Sequence, residues 1–332
     1  MFPHPLLIAD IGGTNARFAI VEKEGGPLIM LARLKTGDFA NPVLAFQAAL
    51  KETDLKPRSA IVCVAGPVVD RACDLTNANW RVNGPELTKA LGFERGLLLN
   101  DFEAQALSLP AHRPEWLKRI GDAAPAHDRA TRVILGPGTG LGIGALIDSG
   151  RHFIPISSEA CHIDFGPVGA DEQAFWPHLE KVQGRVTTES VMSGPGIVRV
   201  HKARALAAGR HAPAVDGVSI VNEALENPDS EGRKTINAYL KIIARFAGDM
   251  AVTFMATGGV TLAGGILPRI ASMLDVRAFR HAFEDKAPVD ALARRMSIDL
   301  LMEPDAVLYG MAMIGADPAR YAISYDTRDR KA

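Results

Sequence analysis

Cysteine is scarce: three in 332 residues, Cys63, Cys73 and Cys161, odd in number and far apart. That excludes a disulfide framework and leaves no CxxC pattern for zinc, so all three are expected as reduced, buried thiols. Charge of one sign is also lacking, with 37 Lys and Arg against 38 Asp and Glu and a formal net charge of −1. No basic excess or long basic run points to nucleic acid or a membrane surface, and a small neutral or anionic ligand is the expected partner. No stretch approaches the roughly 18 apolar residues of a membrane helix, and the opening "MFPHPLLIAD" lacks the basic start and apolar run of a signal peptide. The expectation is a soluble, cytoplasmic protein.

Familiar nucleotide motifs are missing too. No Gly-Lys pair occurs, so there is no Walker A loop. "GLGIGA" at 140–145 fits GxGxxA, but the residues after it read as a strand, whereas a dinucleotide fingerprint opens a helix. "DFG" at 164–166 stands without the HRD loop or VAIK strand of a protein kinase.

What is present is an α/β pattern. Nearly half the residues are apolar, enough for a large core, and the length favours two domains. Strands are expected at "LLIAD", "RFAIVE", "PLIMLARLK", "SAIVCVAG", "GLLLND", "RVILG", "IGALID" and "GVTLAGG". Helices are expected at "PVLAFQAALKE", "GPELTKAL", "DFEAQALSL" and "EGRKTINAYLKIIARFAGDMAVTFMA", where Ile236, Leu240, Ile243 and Phe246 keep helical spacing. The polar, Pro-bearing "PAHRPEWLKRIGDAAPAHDRA" marks a boundary near residue 112, and the charged "SYDTRDRKA" reads as a loosely attached tail.

Two segments share one plan: "LIADIGGTNARFAIV" and "VILGPGTGLGIGAL" each place a Gly-rich turn with a threonine between apolar strands. Glycines permit positive φ and close approach, and successive N–H groups can cradle a phosphate, though such turns also serve as plain hairpins. Thr14 and Thr139 add hydroxyls, and Asp10 stands where a phosphate-bound Mg²⁺ could be met, directly or through water. A third glycine pair, Gly264 and Gly265, suits either an adenosine moiety or a tight strand-to-helix turn.

Asn100 and Asp101 end a strand and open a helix. Asp101 there can cap the helix or accept a hydroxyl proton, and the nearby phosphate loops favour the base. As an ordinary carboxyl, it is expected to be ionised at neutral pH without special tuning. Glu159 and His162, three residues apart before a Gly-Pro turn, suit sugar hydroxyls better than a metal, for want of a third ligand at a recognisable spacing. Glu189 precedes a Gly-Pro-Gly turn, where a helix-capping carboxylate is the alternative.

Taken in order, "DIGGTNARFAI", "LLLNDFEAQAL", "LGPGTGLGIG", "EACHIDFGP", "TTESVMSGPG" and "LAGGILPRI" resemble the bacterial glucokinase family of the hexokinase-like, actin-like ATPase superfamily, from about residue 6 to 315. "FRHAFEDKAP" and "AVLYGMAMIGA" look similar to that family as well.

The resemblance implies a two-domain α/β fold of the actin-like ATPase/hexokinase (ribonuclease H-like) type. Residues 1–112 plus about 301–320 would form a small domain, 113–300 a large one with a cleft between them, and 321–332 a polar tail. It implies phosphorylation of D-glucose to glucose 6-phosphate by ATP with Mg²⁺, and domain closure over the sugar. Asp101 matches the catalytic base; Asn100, Glu159, His162, Glu189 and, less closely, Asn77 match sugar-binding positions. Asp10, Gly12, Gly13, Thr14, Asn15, Gly138 and Thr139 match the phosphate loops, and Gly264 and Gly265 the adenosine segment. A homodimer is usual for the family.

One departure stands out: where most members read Glu-Gly-Gly-His, this chain has Glu159-Ala160-Cys161-His162. Side chains there disfavour positive φ and narrow the space beside the sugar, which bears on sugar preference. The rival readings are a kinase for mannose, fructose or N-acetylglucosamine, and a non-catalytic sugar sensor on the same fold. The sensor would carry a DNA-binding segment or lack the base, whereas this chain starts almost at its first strand and keeps Asp101.

Overall fold

Three largely apolar segments form the first three strands, β1 (Leu6–Ile11), β2 (Asn15–Val21) and β3 (Leu28–Lys35), which pair as an antiparallel meander. The structure, a computed structural model, describes residues 1–75, 78–123, 129–212, 214–323 and 329–331. The chain divides into two units. The first comprises Met1–Arg113, Leu146–Ile156 and Asp305–Ala332, the second Pro114–Ala145 and Ser157–Pro304.

After the meander come α1 (Pro42–Leu50), β4 (Ser59–Val64), a small hairpin of β5 (Ala72–Asp74) and β6 (Arg81–Asn83), α2 (Gly84–Leu91), β7 (Arg95–Asn100) and α3 (Asp101–Ser108). β4 runs parallel to β1 and to β7. Every residue of β4 is buried, as expected of a central strand covered on both faces. Asn41 and Asn83 start α1 and α2 by accepting the N–H groups of Leu44 and Glu86, each with a proline in the first turn. Phe46 of α1 meets Phe18 of β2 edge to face, centroids 5.0 Å apart, within one apolar core.

Between Pro114 and Pro304 come β8 (Leu117–Arg119), β9 (Thr131–Pro137), β10 (Leu141–Asp148), β11 (Phe153–Ser158), α4 (Gly169–Phe175), α5 (Thr188–Met192), α6 (Gly194–Ala207), α7 (Gly217–Glu226), α8 (Glu231–Thr253), β12 (Val260–Leu262), α9 (Leu267–Ile270), α10 (Val276–Glu284), α11 (Asp290–Ala293) and β13 (Ile298–Leu301). The strands form one sheet in the order β11-β10-β9-β12-β13-β8. The last three residues of β10 and all but the last two of β11 group with the first unit. α8 is the long helix its spacing predicts, with Ile236, Leu240, Ile243 and Phe246 all buried. Fully buried Tyr239 on α8 donates its hydroxyl to Met192 O at 2.9 Å, anchoring the end of α5.

The chain then returns to the first unit through α12 (Ala306–Ala316) and β14 (Asp329–Lys331). α12 packs on α3, where Gly310 lies so close to Ser108 that a Cβ would collide with it. β14 pairs antiparallel with β7 and completes the sheet order β14-β7-β4-β1-β2-β3. Strand addition uses main-chain hydrogen bonds, so polar composition alone does not prevent it. Among the described residues, no helix is long and apolar enough to cross a membrane.

Candidate active site

In the first unit, the turn between β1 and β2 is closed by the Gly12 N–H, which donates to Asn15 O at 2.8 Å. Thr36 pins it from the end of β3, its N–H to Thr14 O and its hydroxyl to Gly12 O. Gly12 N–H is thus spent inside the turn, while those of Gly13 and Thr14 have no partner among the described residues. Contrary to the sequence expectation, neither Gly12 nor Gly13 has a positive φ. A Cβ on Gly12 would stand 3.2 Å from Asn15 O, so that glycine serves tight closure.

Asp10 and Arg17 sit directly across this hairpin. The Arg17 guanidinium binds Asp10 Oδ2 through two nitrogens, one of them Nε at 2.9 Å, and reaches Asp305 Oδ1 at 3.1 Å. Arg33 pairs with the other oxygen of Asp305. Cys63 Sγ donates to Asp10 Oδ1 at 3.1 Å; burial, and then the Asp10 charge, hold its thiol well above the ordinary range.

Asn100 ends β7 and caps α3, its Oδ1 accepting the N–H groups of Phe102 and Glu103 at 3.0 and 3.1 Å. Its Nδ2 donates to Gly66 O and to Asp101 Oδ1, both at 2.9 Å. All four hydrogen-bonding valences of this amide are engaged within the chain. With the cap supplied by Asn100, Asp101 is not needed for that task, although its Oδ1 also accepts from Phe102 N–H. Its carboxyl does not behave as the ordinary one the sequence suggested. Burial, followed by the negative charge of Asp10, pushes it up to about 7, outweighing the hydrogen bonds that favour the ionised form. Asn77 lies outside the described residues.

In the second unit, the turn after β9 closes through Gly138 N–H to Gly140 O at 2.8 Å, and Gly194 N–H, at the start of α6, donates to Gly138 O at 2.9 Å. The N–H of Thr139 has no partner among the described residues. This turn lies against the glycine pair after β12: a Cβ on Gly136 would come 2.7 Å from the Ala263 carbonyl carbon, and one on Gly264 would strike Pro137 O. Gly264 has a φ of +86°, which suits glycine, whereas Gly138 and Gly265 do not take positive φ. The fold thus brings Gly138 and Thr139 together with Gly264 and Gly265.

Glu189 is not the cap of α5. Thr187 and Ser190 form a reciprocal capping box, and Glu189 Oε2 instead accepts the N–H of Leu141 at 2.9 Å. A Cβ on Gly140 would stand 2.5 Å from the same oxygen. The next link is Thr188, buried, whose hydroxyl lies 2.8 and 2.6 Å from the carbonyl oxygens of Ala160 and Cys161 and shares its hydrogen between them. It fixes the short 3₁₀ turn Ala160–His162, in which neither Ala160 nor Cys161 needs the positive φ that the sequence comparison suggested. Glu159 and His162 are open to solvent, with side chains 77% and 58% exposed and Glu159 Oε2 3.8 Å from His162 Nε2. Cys161 is buried beside them; burial, then the charges of Glu159 and Glu189, push its thiol up to about 12.

Two carboxylate-bearing strand ends, two glycine turns and a Glu/His turn tied to a second Glu are the parts expected of a sugar kinase, and a family model described as Glucokinase matches residues 7–318. The chain belongs to the glucokinase family. The glucokinase of Rhizobium meliloti (strain 1021) is 41% identical over 330 residues, covering 98% of this chain and 96% of its own. That of Chelativorans sp. (strain BNC1) is 42% identical over 320 residues, 96% and 93% of the two chains. A crystal structure of glucokinase from an Antarctic psychrotroph superposes with a TM-score of 0.81 at 30% identity, over 93% of this chain and 98% of that one. The α/β kinase fold implied by the sequence motifs is the glucokinase fold.

Three positions in this glucokinase chain escaped the sequence reading. Arg17 could have been found, because an Asp and an Arg facing each other across a hairpin form a cross-strand pair once the register is counted from the turn. Cys63 and Thr188 gave no such signal, since their partners are set by packing between distant segments.

Proposed function

We propose that this glucokinase transfers the γ-phosphoryl group of ATP to the 6-hydroxyl of D-glucose with Asp101 as the general base. The observation that carries the assignment is the placement of Asp101: at a strand end, released from capping by Asn100, with a carboxyl raised to about 7. A base with that pKa is poised to take a proton at neutral pH. Glu159, His162 and Glu189 are assigned to the other sugar hydroxyls; a neutral polyol needs such a mixture of acceptors and donors. Asn100 is assigned to holding the base.

The N–H groups of Gly13, Thr14 and Thr139, with the hydroxyls of both threonines, are assigned to the phosphates, and Asn15 to the same turn. Gly264 and Gly265 are assigned to the adenosine. Phosphoryl transfer passes through a loose transition state, so these groups contribute mainly by positioning and by stabilising spread charge. Mg²⁺ travelling with the nucleotide would supply further neutralisation of the phosphate oxygens. Asp10 is the residue that would approach it. Each Asp10 oxygen is already engaged, by Arg17 or by Cys63, and the Arg17 charge offsets its own, so it fits contact through water better than direct ligation. The supply of ATP supports a cytoplasmic location, and the family supports a homodimer, which sedimentation tests directly.

The deciding experiment is ADP release from Mg·ATP with D-glucose, beside a no-sugar control. Glucose-dependent turnover is expected. Turnover with mannose, fructose or N-acetylglucosamine but not glucose would overturn the substrate assignment, and the side chains of Ala160 and Cys161 are the reason to include that panel.

A further inference from the structure

The turn Glu159–His162 carries a set of donors that sugar binding does not require. Cys161 Sγ lies 3.5 Å from Glu159 Oε2, and His162 Nε2 lies 3.8 Å from the same oxygen. The sulfur, the ring nitrogen and the carboxylate oxygen all fall within 4.8 Å of one another. In a tetrahedral zinc site, bonds of about 2.3 Å to sulfur and about 2.0–2.1 Å to nitrogen or oxygen set neighbouring donors roughly 3.3–3.5 Å apart. The sulfur–oxygen separation already matches, and the nitrogen–oxygen separation needs only a small rotation of exposed side chains. The backbone beneath is held by the Thr188 hydroxyl on the carbonyls of Ala160 and Cys161, so binding does not have to order it.

We propose that Glu159, Cys161 and His162 form a binding site for a borderline-soft divalent cation of the Zn²⁺ class, with a fourth position left to solvent. Thiolate and imidazole donors favour such a cation over Mg²⁺ or Ca²⁺. On binding, the Cys161 thiol gives its proton to solvent and its sulfur pair to the metal; nothing is oxidised or reduced. Cys161 supplies the third donor that Glu159 and His162 lack by themselves. A consequence is that the cation and the sugar exclude each other. That consequence rests on the assignment of Glu159 and His162 to sugar hydroxyls, whereas the binding itself does not.

The test uses the full chain with Co²⁺ as an optical probe and Zn²⁺ as its competitor. One Co²⁺ per chain is expected, with tetrahedral d–d bands and a thiolate-to-cobalt charge-transfer band, both abolished by Zn²⁺. Cys161→Ser should remove the charge-transfer band and weaken Zn²⁺ binding at least about tenfold. His162→Gln, which leaves the buried position untouched, should weaken it similarly and serves if the serine variant misfolds. Absence of a thiolate band in the parent chain, or equal Zn²⁺ affinity in parent and variants, overturns the site. The glucose arm is read separately. A thiolate band that saturating glucose does not diminish leaves the metal site standing and overturns the sugar assignment, while loss of the band with glucose supports both.

Discussion

Asn100 Nδ2 donates to Asp101 Oδ1 at 2.9 Å, and its other hydrogen goes to the Gly66 carbonyl. The amide therefore locks the carboxyl of its neighbour to the end of β7. Asn100→Ala should lower kcat about tenfold with little change in KM for glucose, and should cost about 1 kcal/mol of stability through loss of the cap. A rise in KM with kcat preserved would return Asn100 to direct sugar contact.

Replacing the proposed base separates binding from chemistry. Asp101→Asn should keep the fold and the dissociation constant for glucose, measured by calorimetry, while kcat falls at least about a hundredfold. Turnover near the parent rate would remove Asp101 from its role.

The raised pKa of Asp101 gives two effects of opposite benefit. A base must be ionised to act, so with Asp101 in the proposed role kcat/KM for glucose should fall as pH drops through about 7, and Asp10→Asn should move that limb to lower pH by removing a repelling charge. Stability runs the other way. A carboxyl whose folded pKa lies above its unfolded value near 4 favours the native state fully below pH 4, and that contribution is lost as pH rises through about 7. Asp101→Asn should therefore raise Tm at pH 8 and change it little at pH 4, which melting curves at the two pH values will show.

Arg17 serves two carboxylates, Asp10 and Asp305, with all three side chains less than one fifth exposed. Arg17→Met leaves both acids without this partner, and a loss of about 3 kcal/mol in urea unfolding is expected. A loss below about 1 kcal/mol would mean that the network behaves as a surface pair.

Ala160→Gly with Cys161→Gly removes the two side chains between Glu159 and His162. Since neither residue needs positive φ, the change is one of space, and KM should move for sugars more than for ATP in a substrate panel. An unchanged sugar profile would reduce the departure to packing.

Much of the fold was legible because it obeys short-range rules. β1, β4 and β7 read as apolar runs, α2 has its boundaries written by Asn83 and Gly92, and α8 by its apolar spacing. β14 was hidden, since main-chain pairing leaves no apolar signature in "DRK". At the site, the residue types were visible but their occupations were not. That Asn100 donates to the Gly66 carbonyl and that Glu189 accepts the Leu141 N–H depend on which distant segments meet, whereas the side-chain directions that set Cys161 beside Glu159 and His162 depend on the local 3₁₀ turn.

Asp101 opens α3 and Ser108 closes it, a span of roughly 10 Å at the helical rise per residue. At the closed end the helix rests against Gly310 with no room for a methyl group. The aim of the carboxyl proposed as base is thus tied to mechanical tolerance at its far support, where one added carbon has no room. A substitution at Gly310 is then expected to be read out as lost turnover.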